Sequence, residues 1–125
     1  MLDIFTDDPT WFDWSSTALA DALLDGQVGI NQIVYAEISV SFATLAELDS
    51  VLSKLLIERI DLPWSAAHMA GQAFVSYRRS GGVKTSPLPD FYICAHAQAE
   101  GLSLLTRDAK RCRTYFPQVR LVAPS

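Results

Sequence analysis

Short apolar segments alternate along this chain with longer stretches of helical periodicity. The segments Val28–Ile30, Ser103–Thr106 and Val119–Val122 are each only three or four residues long. Runs this short between helical stretches are typical of strands buried in a parallel sheet. The alternation therefore predicts an α/β fold in which helices flank a parallel sheet.

The helical stretches begin and end at recognisable residues. The first begins at Asp8-Pro9, a capping residue followed by proline, and ends at Gly26. Asn31 can cap the second, and the third begins near Thr44. The remaining predicted segments are an alternating strand over Ile57–Leu62 and helices over Ser65–Arg79, Asp90–Gly101 and Ala109–Tyr115, with a break at Gly81-Gly82.

The size and composition favour one intracellular domain. The chain has 125 residues, half of them apolar, which is enough for a substantial core. No apolar run approaches the roughly 18 residues that cross a bilayer. Residues 1–14 hold four aspartates and no basic residue, unlike a secretory signal. We therefore predict a single domain over residues 1–125, a cytoplasmic location and no membrane partner.

The two cysteines and the charges give weaker constraints. Cys94 and Cys112 have neither a metal-ligand spacing nor the number of a disulfide framework, and they fit a reducing cytosol. Residues 1–64 hold 2 basic and 11 acidic residues, whereas residues 65–125 hold 8 and 3. This division permits an acidic metal site beside a basic surface that attracts phosphate, although two ordinary solvated faces explain it equally well.

Three carboxylates follow predicted elements at positions where open α/β sheets bind ligands. Glu37 lies on the helix after the first strand, Asp90 opens a helix after a loop, and Asp108 follows the Ser103–Thr106 strand. Clustered carboxylates repel unless a hard cation such as Mg²⁺ or Mn²⁺ neutralises them, and such an ion promotes phosphodiester hydrolysis. Taken singly, Glu37 is explained as an exposed glutamate and each aspartate as a helix cap.

Polar and basic residues near the last acid suit a phosphate substrate. Thr106 can orient an acid or a metal-bound water through its hydroxyl. Arg107, Lys110 and Arg111 follow closely enough to hold a nucleic-acid backbone. The alternative for these basic residues is a solubilising surface.

Four motifs together resemble those of PIN-domain toxins of the VapC type. They are VYAEI (34–38), IDLPWSAAHMAGQAFVSYRRSGG (60–82), PDFYICAHAQAEGLSLLTRD (89–108) and YFP (115–117). The resemblance implies a PIN-like three-layer fold, an endoribonuclease that uses Mg²⁺ or Mn²⁺, and a homodimer blocked by a cognate VapB-type antitoxin. Carried over by motif, Glu37, Asp90 and Asp108 are three acids of the family's metal-binding quartet.

The sequence departs from the family pattern at its start. Chains of this family open with an apolar strand that ends in an aspartate, whereas Met1 falls beyond that point of the pattern. Asp3 matches a later position, and Asp7 and Asp8 are explained as helix-start residues, so none takes the catalytic role. We therefore expect the first strand and first acid to be missing, through a late start codon, a truncation or a decayed toxin.

Two other functions compete with the ribonuclease. One is a catalytically inactive PIN domain that still binds an antitoxin or RNA. The other is a phosphoacceptor signalling module, which needs an aspartate after an early buried strand and a lysine after a late one. Asp7 and Asp8 precede a helix without a good strand, and Lys110 lies within a helix, so the sequence fits that module poorly.

Overall fold

The structure is a computed structural model that describes residues 12–85, 88–106 and 109–123, with side chains from Ser16 onward except that of Asp25. The chain divides between Asp61 and Leu62 into two compact units. The single-domain organisation stays a prediction. In the described ranges no helix is long and apolar enough to cross a membrane.

From Phe12 onward, where the structure describes it, the first unit has a two-stranded parallel sheet and three helices. Strand β1 pairs with β2 in parallel, with Val28 opposite Ile57 and Ile30 opposite Arg59. The elements in chain order are α1 (Phe12–Asp25), β1 (Val28–Ile30), α2 (Gln32–Ser39), α3 (Leu45–Lys54) and β2 (Ile57–Arg59).

Side-chain caps fix the starts of α2 and α3. The Val34 amide donates to Asn31 Oδ1 at 3.1 Å, and the Glu47 amide donates to Thr44 Oγ1 at 3.1 Å. Both bonds satisfy amides that have no partner within the helix. Because the chain turns into α2 at Asn31, β1 ends at Ile30. Strand β2 is therefore shorter than the predicted Ile57–Leu62 segment.

The core of the first unit lies where its helices cover the sheet. It consists of buried Leu19, Ile30, Ile38, Leu48, Leu52 and Ile57. Leu48 and Leu52 are one turn apart on α3 and thus on the same face.

The second unit packs three helices with a second parallel pair of strands. Leu104 is opposite Leu121, and Leu105 is opposite Val122. The elements are α4 (Trp64–Arg79), α5 (Pro89–Glu100), β3 (Leu104–Leu105), α6 (Lys110–Tyr115) and β4 (Leu121–Val122). Both strands are shorter than predicted. The Leu104 amide donates to the Arg120 carbonyl and the Thr106 amide to the Val122 carbonyl, and these bonds are the two ends of the pairing.

Small residues allow α4 and α5 to pack closely. Ala66, Ala70 and Ala73 recur at helical spacing on α4 and are buried, and Ala95 on α5 is fully buried. The rest of this core is Phe91, Cys94, Ala97, Cys112, Phe116 and Val119. Phe91, which directly follows Asp90 in sequence, is fully buried and belongs to this core.

Glycines end the two longer helices of the second unit, α4 and α5, as the sequence predicted. Gly81 has φ +93° after α4, and Gly101 has φ +64° after α5. The amides of Gly82 and Leu102 then donate to the carbonyls of Tyr77 and Ala97, five residues back. These bonds satisfy carbonyls in the last turn of each helix.

Candidate functional site

Asp90 lies in the first turn of α5, with its side chain 55% exposed. Leu88 is the N-cap, and Pro89 takes a first-turn position where its missing amide costs nothing. The interpretation of Asp90 as the helix cap was therefore wrong. Its carboxylate is favourably placed near the positive end of the helix and remains accessible to a cation.

Arg111 on α6 provides the counter-charge of Asp90. Its Nε lies 3.6 Å from Asp90 Oδ2, and its side chain is 31% exposed. The guanidinium carbon lies 5.4 Å from the Tyr77 ring centre and 5.6 Å from the Phe91 ring centre. Arg111 was predicted to contact phosphate, and in the structure it is also an ion-pair partner of a predicted metal ligand.

An aromatic cluster of four rings supports this guanidinium. Its members are Phe74, Tyr77, Phe91 and Tyr115, with neighbouring ring centres 5.5–6.5 Å apart. Most pairs are tilted or edge-to-face, which is the favourable geometry for aromatic contacts. Two of its rings, Tyr77 and Phe91, contact the Arg111 guanidinium. The cluster was not predicted, because Tyr77 and Tyr115 lie on separate helices.

A disulfide joins the two helices that carry Asp90 and Arg111. Cys94 on α5 is bonded to Cys112 on α6, with their Cα atoms 5.6 Å apart. Cys94 is one helical turn after Asp90, and Cys112 directly follows Arg111. The cysteine spacing did not predict this bond. Both cysteines are buried, as expected for small core residues.

The remaining predicted residues of the second unit are only partly described. Thr106 directly follows β3 and is half-buried, and its amide donates to the Val122 carbonyl at 3.0 Å. Lys110 is exposed at the first position of α6. Arg107 and Asp108 lie outside the described residues, so their roles stay predictions.

Glu37 lies in the first unit, exposed on α2. Its association with Asp90 and Asp108 stays a prediction. Throughout the described ranges, no group of three or more His, Cys, Asp or Glu side chains is arranged to hold a metal ion. Asp90 nevertheless fits a hard divalent cation, because it offers half-exposed carboxylate oxygens of the type that Mg²⁺ and Mn²⁺ bind.

A second polar network lies near Glu37 along the chain. Tyr35 donates a 2.9 Å hydrogen bond to Asp49 Oδ1, and Arg59 lies 3.4 Å from the same oxygen. The hydrogen bond to Asp49 raises the pKa of Tyr35 because the carboxylate accepts only from the neutral phenol. This network could not be predicted from the sequence, since its three residues lie on α2, α3 and β2.

Comparison with known proteins assigns the fold and the family. The PIN-domain family profile matches residues 2–117. The chain is similar to a structure of VapBC2 from Rickettsia felis bound to promoter DNA (TM-score 0.67, 20% identity, 98% of this chain and 91% of that one). It is also similar to a structure of DNA-bound VapBC from Salmonella typhimurium (TM-score 0.57, 24% identity, 76% and 74%).

No curated protein matches the sequence. The profile nonetheless covers nearly the whole chain, including the segments that carry Glu37, Asp90 and Asp108. The structural matches confirm the predicted α/β fold with parallel strands and flanking helices. This protein therefore belongs to the PIN-domain family.

Proposed function

We propose that this protein is a VapC-type toxin, an endoribonuclease that cleaves RNA with Mg²⁺ or Mn²⁺. The observation that carries the proposal is Asp90, a half-exposed carboxylate at the start of a buried helix in a PIN domain. Asp90 is paired with Arg111 and directly precedes the fully buried Phe91, which suits a ligand that must be held in place.

The three predicted acids share the task of holding the metal. Asp90, Asp108 and Glu37 supply carboxylate oxygens, and a bound ion supplies an activated water and stabilises the charge that develops on the phosphodiester. Thr106 orients a neighbouring acid or water. Arg107, Lys110 and Arg111 bind phosphate oxygens of the RNA backbone, so they favour RNA without selecting a base.

A cleavage assay tests the proposal directly. The purified protein is incubated with a panel of structured RNAs in Mg²⁺ or Mn²⁺, beside Asp90→Asn and Asp108→Asn. We expect cleavage that needs the metal and is lost in both variants. The matched control is Glu100→Gln, which removes a carboxylate at the other end of α5, and it should cleave like the unchanged protein.

The second candidate is a catalytically inactive PIN domain that still binds an antitoxin or RNA. It predicts RNA binding without cleavage. A gel-shift assay with the same RNAs separates the two functions. If Asp90→Asn still binds RNA and no cleavage product forms in either metal, the protein is a binding module and not an enzyme.

The proposed partners are a VapB-type antitoxin and a second copy of this chain. Both structural relatives are VapBC complexes, which supports the antitoxin. Exposed leucines on or beside helices of the first unit support an apolar interface, with Leu24 86%, Leu45 68% and Leu56 79% exposed.

Two experiments test these partners. Light scattering should give twice the chain mass, and co-expressed antitoxin should suppress RNA cleavage. Leu56→Glu should weaken dimer or antitoxin binding without unfolding the chain.

A further inference from the structure

Arg111 is held from two sides by different kinds of contact. On one side, its Nε faces Asp90 Oδ2 at 3.6 Å. On the other, its guanidinium lies over the Tyr77 and Phe91 rings at 5.4 and 5.6 Å. Its Nη1 is buried and has no hydrogen-bond partner among the described residues. The ion pair and the ring contacts therefore involve different groups of the protein.

The contact with Asp90 is the weaker of the two. A separation of 3.6 Å is longer than a charge-assisted hydrogen bond, and the carboxylate is 55% exposed. Ion pairs of this exposed kind contribute little net stability. A competing cation can therefore take Asp90 without a large energetic cost.

The aromatic contact persists when Asp90 changes partner. A guanidinium over a ring face is stabilised by the ring's quadrupole, and partial burial strengthens this attraction. The rings belong to the aromatic cluster, and Phe91 is fully buried. The positive charge of Arg111 thus stays beside Asp90 whether or not a second cation arrives.

We propose that Arg111 is a positioning residue that acts as the resident counter-cation of Asp90 and sets its affinity for divalent metal. This inference rests on the proposed function, in which Asp90 is a metal ligand. The guanidinium competes for the carboxylate and repels an incoming cation, so it keeps metal binding weak. The same charge lies where it can bind an RNA phosphate next to the metal.

The two effects predict opposite responses to one substitution. Arg111→Met keeps an apolar side chain over the rings but removes the charge. We expect Mn²⁺ to bind up to about five-fold more tightly, the upper limit given by removing an exposed ion pair, while RNA cleavage falls. A merely structural role would weaken both. Arg111→Lys keeps the charge but stacks less well on the rings, so its Mn²⁺ affinity should lie between that of Arg111→Met and that of the unchanged protein.

Isothermal titration with Mn²⁺ provides the readout, and only the binding event lost in Asp90→Asn is scored. Arg120→Met is the matched control, since it removes an exposed arginine of the same unit outside the Asp90 contact and should leave Mn²⁺ affinity unchanged. Circular dichroism checks that each variant is folded. If Arg111→Met unfolds, Arg111→Gln replaces it with a neutral side chain that can still donate hydrogen bonds.

Unchanged or weaker Mn²⁺ binding in a folded neutral variant would overturn the inference, because Arg111 would then assist the metal or ignore it. If the unchanged protein cleaves RNA and loses cleavage in Asp90→Asn, the proposed function survives that result. If neither the unchanged protein nor Arg111→Met binds Mn²⁺ at Asp90, the metal site and this inference fail together. Tighter binding in Arg111→Met supports the inference even where no RNA is cut.

Discussion

Cys94 of α5 is disulfide-bonded to Cys112 of α6, and the two residues are 18 positions apart in sequence. Closing a loop of this size restricts the unfolded chain, which stabilises the fold by about 2–4 kcal/mol. We predict that reduction lowers the free energy of unfolding by this amount. Urea denaturation with and without a dithiol reductant measures it.

A double Cys94→Ala, Cys112→Ala variant supplies the control for the disulfide. Its free energy of unfolding should lie within about 1 kcal/mol of that of the reduced protein and should not respond to the reductant, since alanine keeps most of the buried volume. Equal midpoints for the oxidised and reduced proteins would show that the bond contributes nothing. Thiol titration of the unfolded protein confirms which state was measured.

The hydrogen bond from Tyr35 to Asp49 predicts a tyrosine that ionises late. The pKa of Tyr35 is raised, first by this bond and then by burial and by the Asp49 charge. A raised pKa means that the folded protein holds the phenol proton more tightly than the unfolded chain. The resulting stabilisation is therefore complete below about pH 10, the ordinary tyrosine value, and is lost as the pH rises through the raised pKa.

Alkaline titration of tyrosinate absorbance tests whether the pKa of Tyr35 is raised. The difference between the unchanged protein and Tyr35→Phe isolates one phenol among the 4 tyrosines. Its midpoint should exceed that of a free tyrosine, and Asp49→Ala should move it down. A midpoint at or below the free value, or one that Asp49→Ala leaves unchanged, would show that the network is absent from the folded structure.

Gly101 and Gly71 should respond to alanine in opposite directions. Gly101 ends α5 with φ +64°, where an alanine side chain is strained. Gly101→Ala should therefore destabilise the fold by about 1 kcal/mol. Gly71 lies inside α4 with open space around the added carbon, so Gly71→Ala should stabilise it by about 0.5–1 kcal/mol. Thermal denaturation of both variants checks the sign, and equal shifts would contradict the argument.

Local signals explain why so many helix ends could be predicted from the sequence. Asn31, Thr44, Gly81 and Gly101 act on amides or carbonyls within one turn of their own position, so their effect needs no knowledge of the rest of the fold. Strand lengths were predicted less well. Strand β2 ends at Arg59 because its partner β1 ends opposite it at Ile30. The partner of a strand is distant in sequence, so the end of the pairing is not visible locally.

The candidate site shows the same division between local and distant information. The position of Asp90 at a helix start was visible in the Pro89-Asp90 pair, because proline favours the first helical turn. Its pairing with Arg111 was not, since the two residues are 21 positions apart and meet only through the packing of α5 against α6. The disulfide was missed for the same reason. Contacts between helices depend on the finished core.

Phe91 should couple the stability of the second unit to the candidate site. It is fully buried and contacts the Phe74, Tyr77 and Tyr115 rings while its neighbour Asp90 faces solvent. Phe91→Ala leaves a cavity and should cost about 3–5 kcal/mol. Val83→Ala, at an exposed position, should stay within about 0.5 kcal/mol of the unchanged protein. Urea denaturation measures both. A small loss for Phe91→Ala would mean that the aromatic cluster is loosely packed, and it could not then hold Arg111 beside Asp90.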